Sequence, residues 1–266
     1  MFGVSSQVSG GQVFLREEEG VAIVTLSHPG KFNAMSRSMW RQLREVFARV
    51  QAGSESRCVL ISGQAGHFCA GGDISEYPDF RFDSESLRAF HEDDVWGGLE
   101  AMLACDVPIV AAIEGNCMGA GVEIASCCDI RVASRSTKFG APIARLGFPM
   151  APREAQLVMR VAGEATAREM LLEGAVLDSG EMKARGFLHA VLEDAELAPH
   201  ASARARRIAS LAPEAARMNK QALRVLGANP PGAIERLLPK AYAYAESSEH
   251  REGISAFLSK RPPKFF

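Results

Sequence analysis

Two stretches of this chain lose their side chains at points where bare backbone can do chemistry. In FCAGGDI, residues 68–74, Ala70-Gly71-Gly72 leaves main-chain N–H groups open to close approach just before the carboxylate of Asp73. In GNCMGAGVEIA, residues 115–125, Gly119-Ala120-Gly121 does the same and opens VEIASCC, which reads as a short buried helix. The first turn of a helix carries N–H groups without intrahelical partners. A tight turn explains one such stretch equally well. Two of them, each following a strand, can aim one N–H apiece at a shared oxygen, as an oxyanion hole requires. Glu123 falls three residues after Ala120, so on a helix it projects from the same side. It either complements the helix N-terminus electrostatically or exchanges protons beside that oxygen.

The other polar groups near these stretches divide by type. Asp73 reads as a turn carboxylate that stabilises its own loop through local hydrogen bonds. His67 and Cys69 flank the first stretch without an evident activating partner, and neither is assigned a catalytic role. Arg153 and Glu154 sit at a helix start in PMAPREAQL, residues 149–157. For Glu154 the commoner role there is a surface cap; service as an acid is the alternative. Arg145 either enters a pocket or pairs at the surface. The six cysteines show no C-x-x-C or Cys/His ligand spacing, so reduced structural thiols and no metal site are expected.

Positioning these groups falls to an alternation of strands and helices. VFLR and VAIVTLS read as strands around the turn EEEG; Ser36 begins a helix that ends near Gly53. CVLIS (58–62) and PIVAAIEG (108–115) are buried-strand runs that lead into the two small-residue stretches, and IRVAS and TKFGA are further short strands. A helical pattern over Ser84–Ala104 is weakened by Gly97-Gly98. The alternation predicts an α/β core, followed from about Pro199 by an alanine-, arginine- and leucine-rich helical region that packs on the core or on another subunit.

With 266 residues, 47% of them hydrophobic, the chain can bury a large core, which argues against disorder. A net charge of −2 supplies no basic footprint for nucleic acid or anionic membrane. The first thirty residues lack the pattern of a signal peptide, and no apolar run is long enough to span a bilayer, so a cytoplasmic protein is expected.

FCAGGDI, followed about forty residues later by PIVAAIEGNCMGAGVEIASCCDIRVAS, resembles the enoyl-CoA hydratase/isomerase, or crotonase, superfamily. KFNAM and the C-terminal REGISAFLSKRPPKF resemble that family's N-A-[LM] segment and its ending. The resemblance implies a crotonase-like ββα spiral core, residues 1–198, and a C-terminal helical oligomerisation region, residues 199–266, assembling as homotrimers or homohexamers. It implies an acyl-CoA thioester as substrate, a place in fatty acid metabolism, and no further cofactor. Gly72 and Ala120 would donate to the thioester oxygen, and Glu123 aligns with one of two glutamates used by hydratases. Ala34, Ala70, Asp73, Ile74 and Ile143 fall at substrate-binding positions, and Lys31 and Lys264 are candidates for CoA phosphates. The second hydratase glutamate would follow Pro142, where this chain has Ile143.

With one acid missing, hydration loses a group that positions water and manages its protons, whereas isomerisation needs only one base. Two other classes fit the same residues: a non-catalytic fatty acyl-CoA binding protein, and a thioesterase or decarboxylase on the same scaffold.

Overall fold

The computed structural model describes residues 10–53, 55–228 and 230–265. Among the described residues there are nine strands: β1 (Gln12–Glu18), β2 (Val21–Ser27), β3 (Cys58–Gly63), β4 (Ile109–Ile113), β5 (Asn116–Met118), β6 (Ile130–Ser134), β7 (Lys138–Gly140), β8 (Val176–Asp178) and β9 (Ala190–Leu192). Six of them form a sheet in the order β1-β2-β3-β4-β6-β9, antiparallel only at β1/β2; the other three form a second sheet, β5-β7-β8. Every residue of β4 is buried, as expected for a central parallel strand covered on both faces.

The first helices are α1 (Arg37–Ala52), α2 (Ser84–Ala89), α3 (Trp96–Ala104) and α4 (Ala120–Cys127). Ser36 caps α1 by accepting from the Met39 N–H, and the apolar face Met39, Trp40, Leu43, Phe47 and Val50 is buried. The predicted helical span 84–104 is present, but a π-helical segment, Phe90–Val95, separates α2 from α3. That wider turn buries Asp94 between Arg37 Nε and Arg41 Nε, each 2.7 Å from a carboxylate oxygen, which fastens the segment to α1. Single π-helical turns of this kind recur at functional sites.

The later helices are α5 (Pro152–Ala162), α6 (Glu164–Arg168), α7 (Ser179–Ala184), α8 (Asp194–Ala209), α9 (Pro213–Ala228), α10 (Ala233–Leu237) and α11 (Ser248–Leu258). Position 199, where the helical region was expected to begin, is a proline inside α8. Helix α8 lies on the larger sheet: Leu197 and Ala201 pack with Ala112 and Val132, and Ala205 and Ala209 with Val21, Cys58 and Val110. Its alanines let the helix approach the strands closely, which accounts for the composition there. Helix α9 has no fully buried residue, and Leu223, Ile254, Phe257 and Leu258 of α9 and α11 are exposed.

Candidate active site

The two small-residue loops are hydrogen-bonded to each other. Cys69 N–H donates to the Asn116 carbonyl at 2.9 Å, and Met118 N–H to the Cys69 carbonyl at 2.9 Å, forming a parallel bridge between Cys69 and Cys117. Three residues beyond that bridge on each strand lie Gly72 and Ala120. The approach is tight: a methyl group on Gly121 would come within 2.6 Å of the Cys69 carbonyl oxygen, and Gly71 holds φ +112°, which other residues rarely adopt.

A third segment holds the first loop from behind. Met35 N–H donates to the Gly71 carbonyl and Asp73 N–H to the Met35 carbonyl, both at 2.8 Å. Asn33 Nδ2 donates to the carbonyls of Gln64 and His67, while His67 Nδ1 accepts from the Asn116 N–H at 3.2 Å. The segment around KFNAM therefore builds the loop, and His67 ties it to the second loop. Among the described residues, neither Gly72 nor Ala120 donates its N–H to another protein group.

Both residues line a cavity of about 330 Å³. Ala70, Ile74, Glu123 and Ile143 line it as well, together with Trp40, Tyr77, Phe90, Phe148 and Met150. Helix α4 is buried along its whole length, and Glu123 is its one charged residue. Burial, reinforced by the charge of nearby Glu154, pushes the Glu123 carboxyl up to about 8.

Glu154 corrects the expectation of a surface cap. It lies in the first turn of α5, yet it is 2% exposed and lines the same cavity as Glu123. Packing of α5 against α4 turns this first turn inward. His91 Nδ1 of the π-helical segment lies 3.1 Å from Glu154 Oε1 and lines the cavity too. Arg153, by contrast, points away: it pairs with Glu92 at 3.1 Å and stacks over Trp96. Arg145 is exposed at the rim, donating to the Gly174 carbonyl at 3.4 Å.

The remaining sequence candidates lie outside the cavity lining. Asp73 is buried, which alone would raise its carboxyl, but Lys31 Nζ at 2.7 Å and the Ser75 hydroxyl and N–H hold it below its ordinary value. Asp73 thus serves its own loop, and much of the Lys31 charge is met by Asp73 and Ser75. Ala34 is buried behind the loop, with its carbonyl 2.7 Å from His28 Nδ1. Lys264 is exposed and lies beside Glu252 and Arg261. Burial pushes the Cys69 thiol up to about 12, so it stays protonated, and all six cysteines are buried and free.

Sequence reasoning missed Tyr77, Arg81 and His91. Tyr77 follows Asp73 by four residues, and its hydroxyl fills the space a methyl on Gly72 would need. Arg81 packs against two rings, 4.3 Å from the Tyr77 centroid and 3.7 Å from that of Phe148. The cluster of aromatic residues in YPDFRF was the available signal for the first two. His91 and Glu154 are 63 residues apart and had none.

Residues 16–266 match the family model described as Enoyl-CoA hydratase/isomerase. The chain belongs to the enoyl-CoA hydratase/isomerase family. It is similar to the protein named "Probable enoyl-CoA hydratase echA8" of Mycobacterium tuberculosis, 30% identical over 257 residues covering 95% of this chain and 97% of the relative. It is similar as well to the 1,2-epoxyphenylacetyl-CoA isomerase of Escherichia coli, 30% identical over 260 residues, 93% of this chain and 95% of the relative. Among solved structures it superposes on an enoyl-CoA hydratase/carnithine racemase from Magnetospirillum magneticum with TM-score 0.91 and 36% identity, over 96% of this chain and 95% of that one. The α/β fold is thus the crotonase type that the motifs implied. No helix among the described residues is long and apolar enough to cross a membrane.

Proposed function

We propose that this family member holds an acyl-CoA thioester with its carbonyl oxygen between the N–H groups of Gly72 and Ala120, and adds water across an enoyl double bond using Glu123 and Glu154. The observation that carries this reading is a second buried carboxylate, Glu154, in the same cavity as Glu123 and the two unengaged N–H groups. Negative charge develops on the thioester oxygen as the enolate forms, and fixed N–H donors in a closed site stabilise it.

The proton inventory suits hydration. Water attacks Cβ while Glu154, oriented by His91, takes its proton; the π electrons move onto the thioester oxygen. Glu123, neutral up to about pH 8, then delivers a proton to Cα as the enolate collapses. Product release returns the proton from Glu154 to Glu123 through solvent, so one H and one OH are added in total. Glu154 thereby takes over the role that the resemblance assigns to a glutamate at position 143.

The apolar Ile143 in the cavity wall favours a second reading, in which Glu123 alone shifts a proton between carbons. Mass analysis of products from a panel of enoyl-CoAs separates the two. The expected product carries one added water, and Glu123→Gln and Glu154→Gln each lose about 10² to 10⁴ in rate while still binding the ester. A product of unchanged mass, with Glu154→Gln as fast as the parent, would replace hydration with isomerisation. Tight binding without turnover would support a non-catalytic acyl-CoA binder, and release of CoA or carbon dioxide would support a thioesterase or decarboxylase.

A further inference from the structure

Arg81 has no use in the reaction just described, yet it lines the cavity and has no carboxylate partner among the described residues. Its guanidinium carbon lies 4.3 Å from the Tyr77 ring centroid and 3.7 Å from that of Phe148, in the corner formed by two rings inclined at 70° to each other. Its backbone N–H donates to the Tyr77 carbonyl at 2.9 Å, so the residue is anchored at its root as well as along its side chain. Nε is buried and has no hydrogen-bond partner. With Nε buried, the terminal Nη1/Nη2 edge, on the side away from that corner, is the direction left for a ligand. A planar carboxylate meets that edge through two parallel N–H···O bonds, a geometry that neither water nor a methyl group reproduces.

The same tyrosine locates Arg81 relative to the reacting end. The Tyr77 hydroxyl abuts Gly72, whereas Arg81 lies over the Tyr77 ring, so the guanidinium sits one aromatic ring away from the proposed thioester oxygen site. A short acyl chain bridges that span. The walls between are apolar and aromatic, which suits the intervening methylene groups.

We infer that the acyl group carries a free carboxylate at its far end, held edge-on by Arg81 beside Tyr77 and Phe148, so that the substrate class is the CoA monothioesters of short dicarboxylic acids. The inference rests on the acyl-CoA reading above and adds the chemistry of the chain's far end. Two acidic side chains already line the cavity, and the neutral form of Glu123 keeps the reacting end from repelling a chain that bears a carboxylate.

Calorimetric binding of glutaryl-CoA and hexanoyl-CoA to the full chain tests it, because both esters are saturated and neither can be hydrated. The parent should prefer glutaryl-CoA by at least about 10-fold. Arg81→Gln should weaken glutaryl-CoA by about 10- to 100-fold and leave hexanoyl-CoA within about 2-fold, since charged hydrogen bonds of this kind are worth that much. Arg81→Lys, which keeps the charge but loses the fork, should retain part of the preference. Equal affinity of the parent for the two esters, or a preference for hexanoyl-CoA, overturns the inference alone. So does an equal loss for both esters in Arg81→Gln, which would place Arg81 on the CoA moiety or in the scaffold. Failure of the parent to bind either ester overturns the acyl-CoA reading and this inference with it.

Discussion

Replacing Glu123 by glutamine should change not only turnover but the pH dependence of stability. In the folded protein the carboxyl is pushed from its ordinary 4.5 to about 8 by burial and by Glu154. Below pH 4.5 both folded and unfolded chains hold the proton, and the group's contribution to stability is at its most favourable. As pH rises from 4.5 toward 8 the unfolded chain ionises while the folded one stays protonated, so stability is lost across that window and levels off above it. At 1.36 kcal/mol per unit, the full difference is on the order of 5 kcal/mol, of which about 3 kcal/mol falls between pH 5 and pH 8. Glutamine cannot ionise and removes this dependence. Urea unfolding of parent and Glu123→Gln at pH 5 and pH 8, at one protein concentration, reads the effect as a difference of differences. The variant should gain about 3 kcal/mol on the parent between the two pH values, whatever its constant penalty for the new amide. A gap between the two proteins that stays the same from pH 5 to pH 8 would mean that Glu123 is not held neutral, and the assignment of the proton to it would fail.

Gly72→Ala should lower kcat about 10²-fold, because the added methyl overlaps the Tyr77 hydroxyl and displaces one N–H donor of the proposed oxyanion site; a parental rate in a folded variant would remove Gly72 from the mechanism. We expect the exposed apolar residues Leu223, Ile254, Phe257 and Leu258 to be covered by other copies of the chain, giving a trimer or hexamer by light scattering at micromolar concentration, and a stable monomer would contradict this.

Much of this protein is legible in its sequence because the informative residues are local. The two small-residue loops, the strands that lead into them and the Ser36-capped helix each depend on steric freedom, alternation or capping within a few positions. The one acid inside VEIASCC marked Glu123 as unusual for the same reason: a charge in an apolar run is visible without a fold. The pairing of the loops through the Cys69–Cys117 bridge, the support from Met35, and the inward turn of Glu154 depend on contacts between distant segments. A glutamate in the first turn of a helix has the same local pattern whether that turn faces water or a neighbouring helix. Only the packing of α5 on α4, with a π-helical segment that brings His91 to Glu154, decides that this carboxylate belongs to the cavity. Arg81 is the same case, since nothing in its neighbours along the chain says that Phe148 will close over it while leaving Nε without a protein partner.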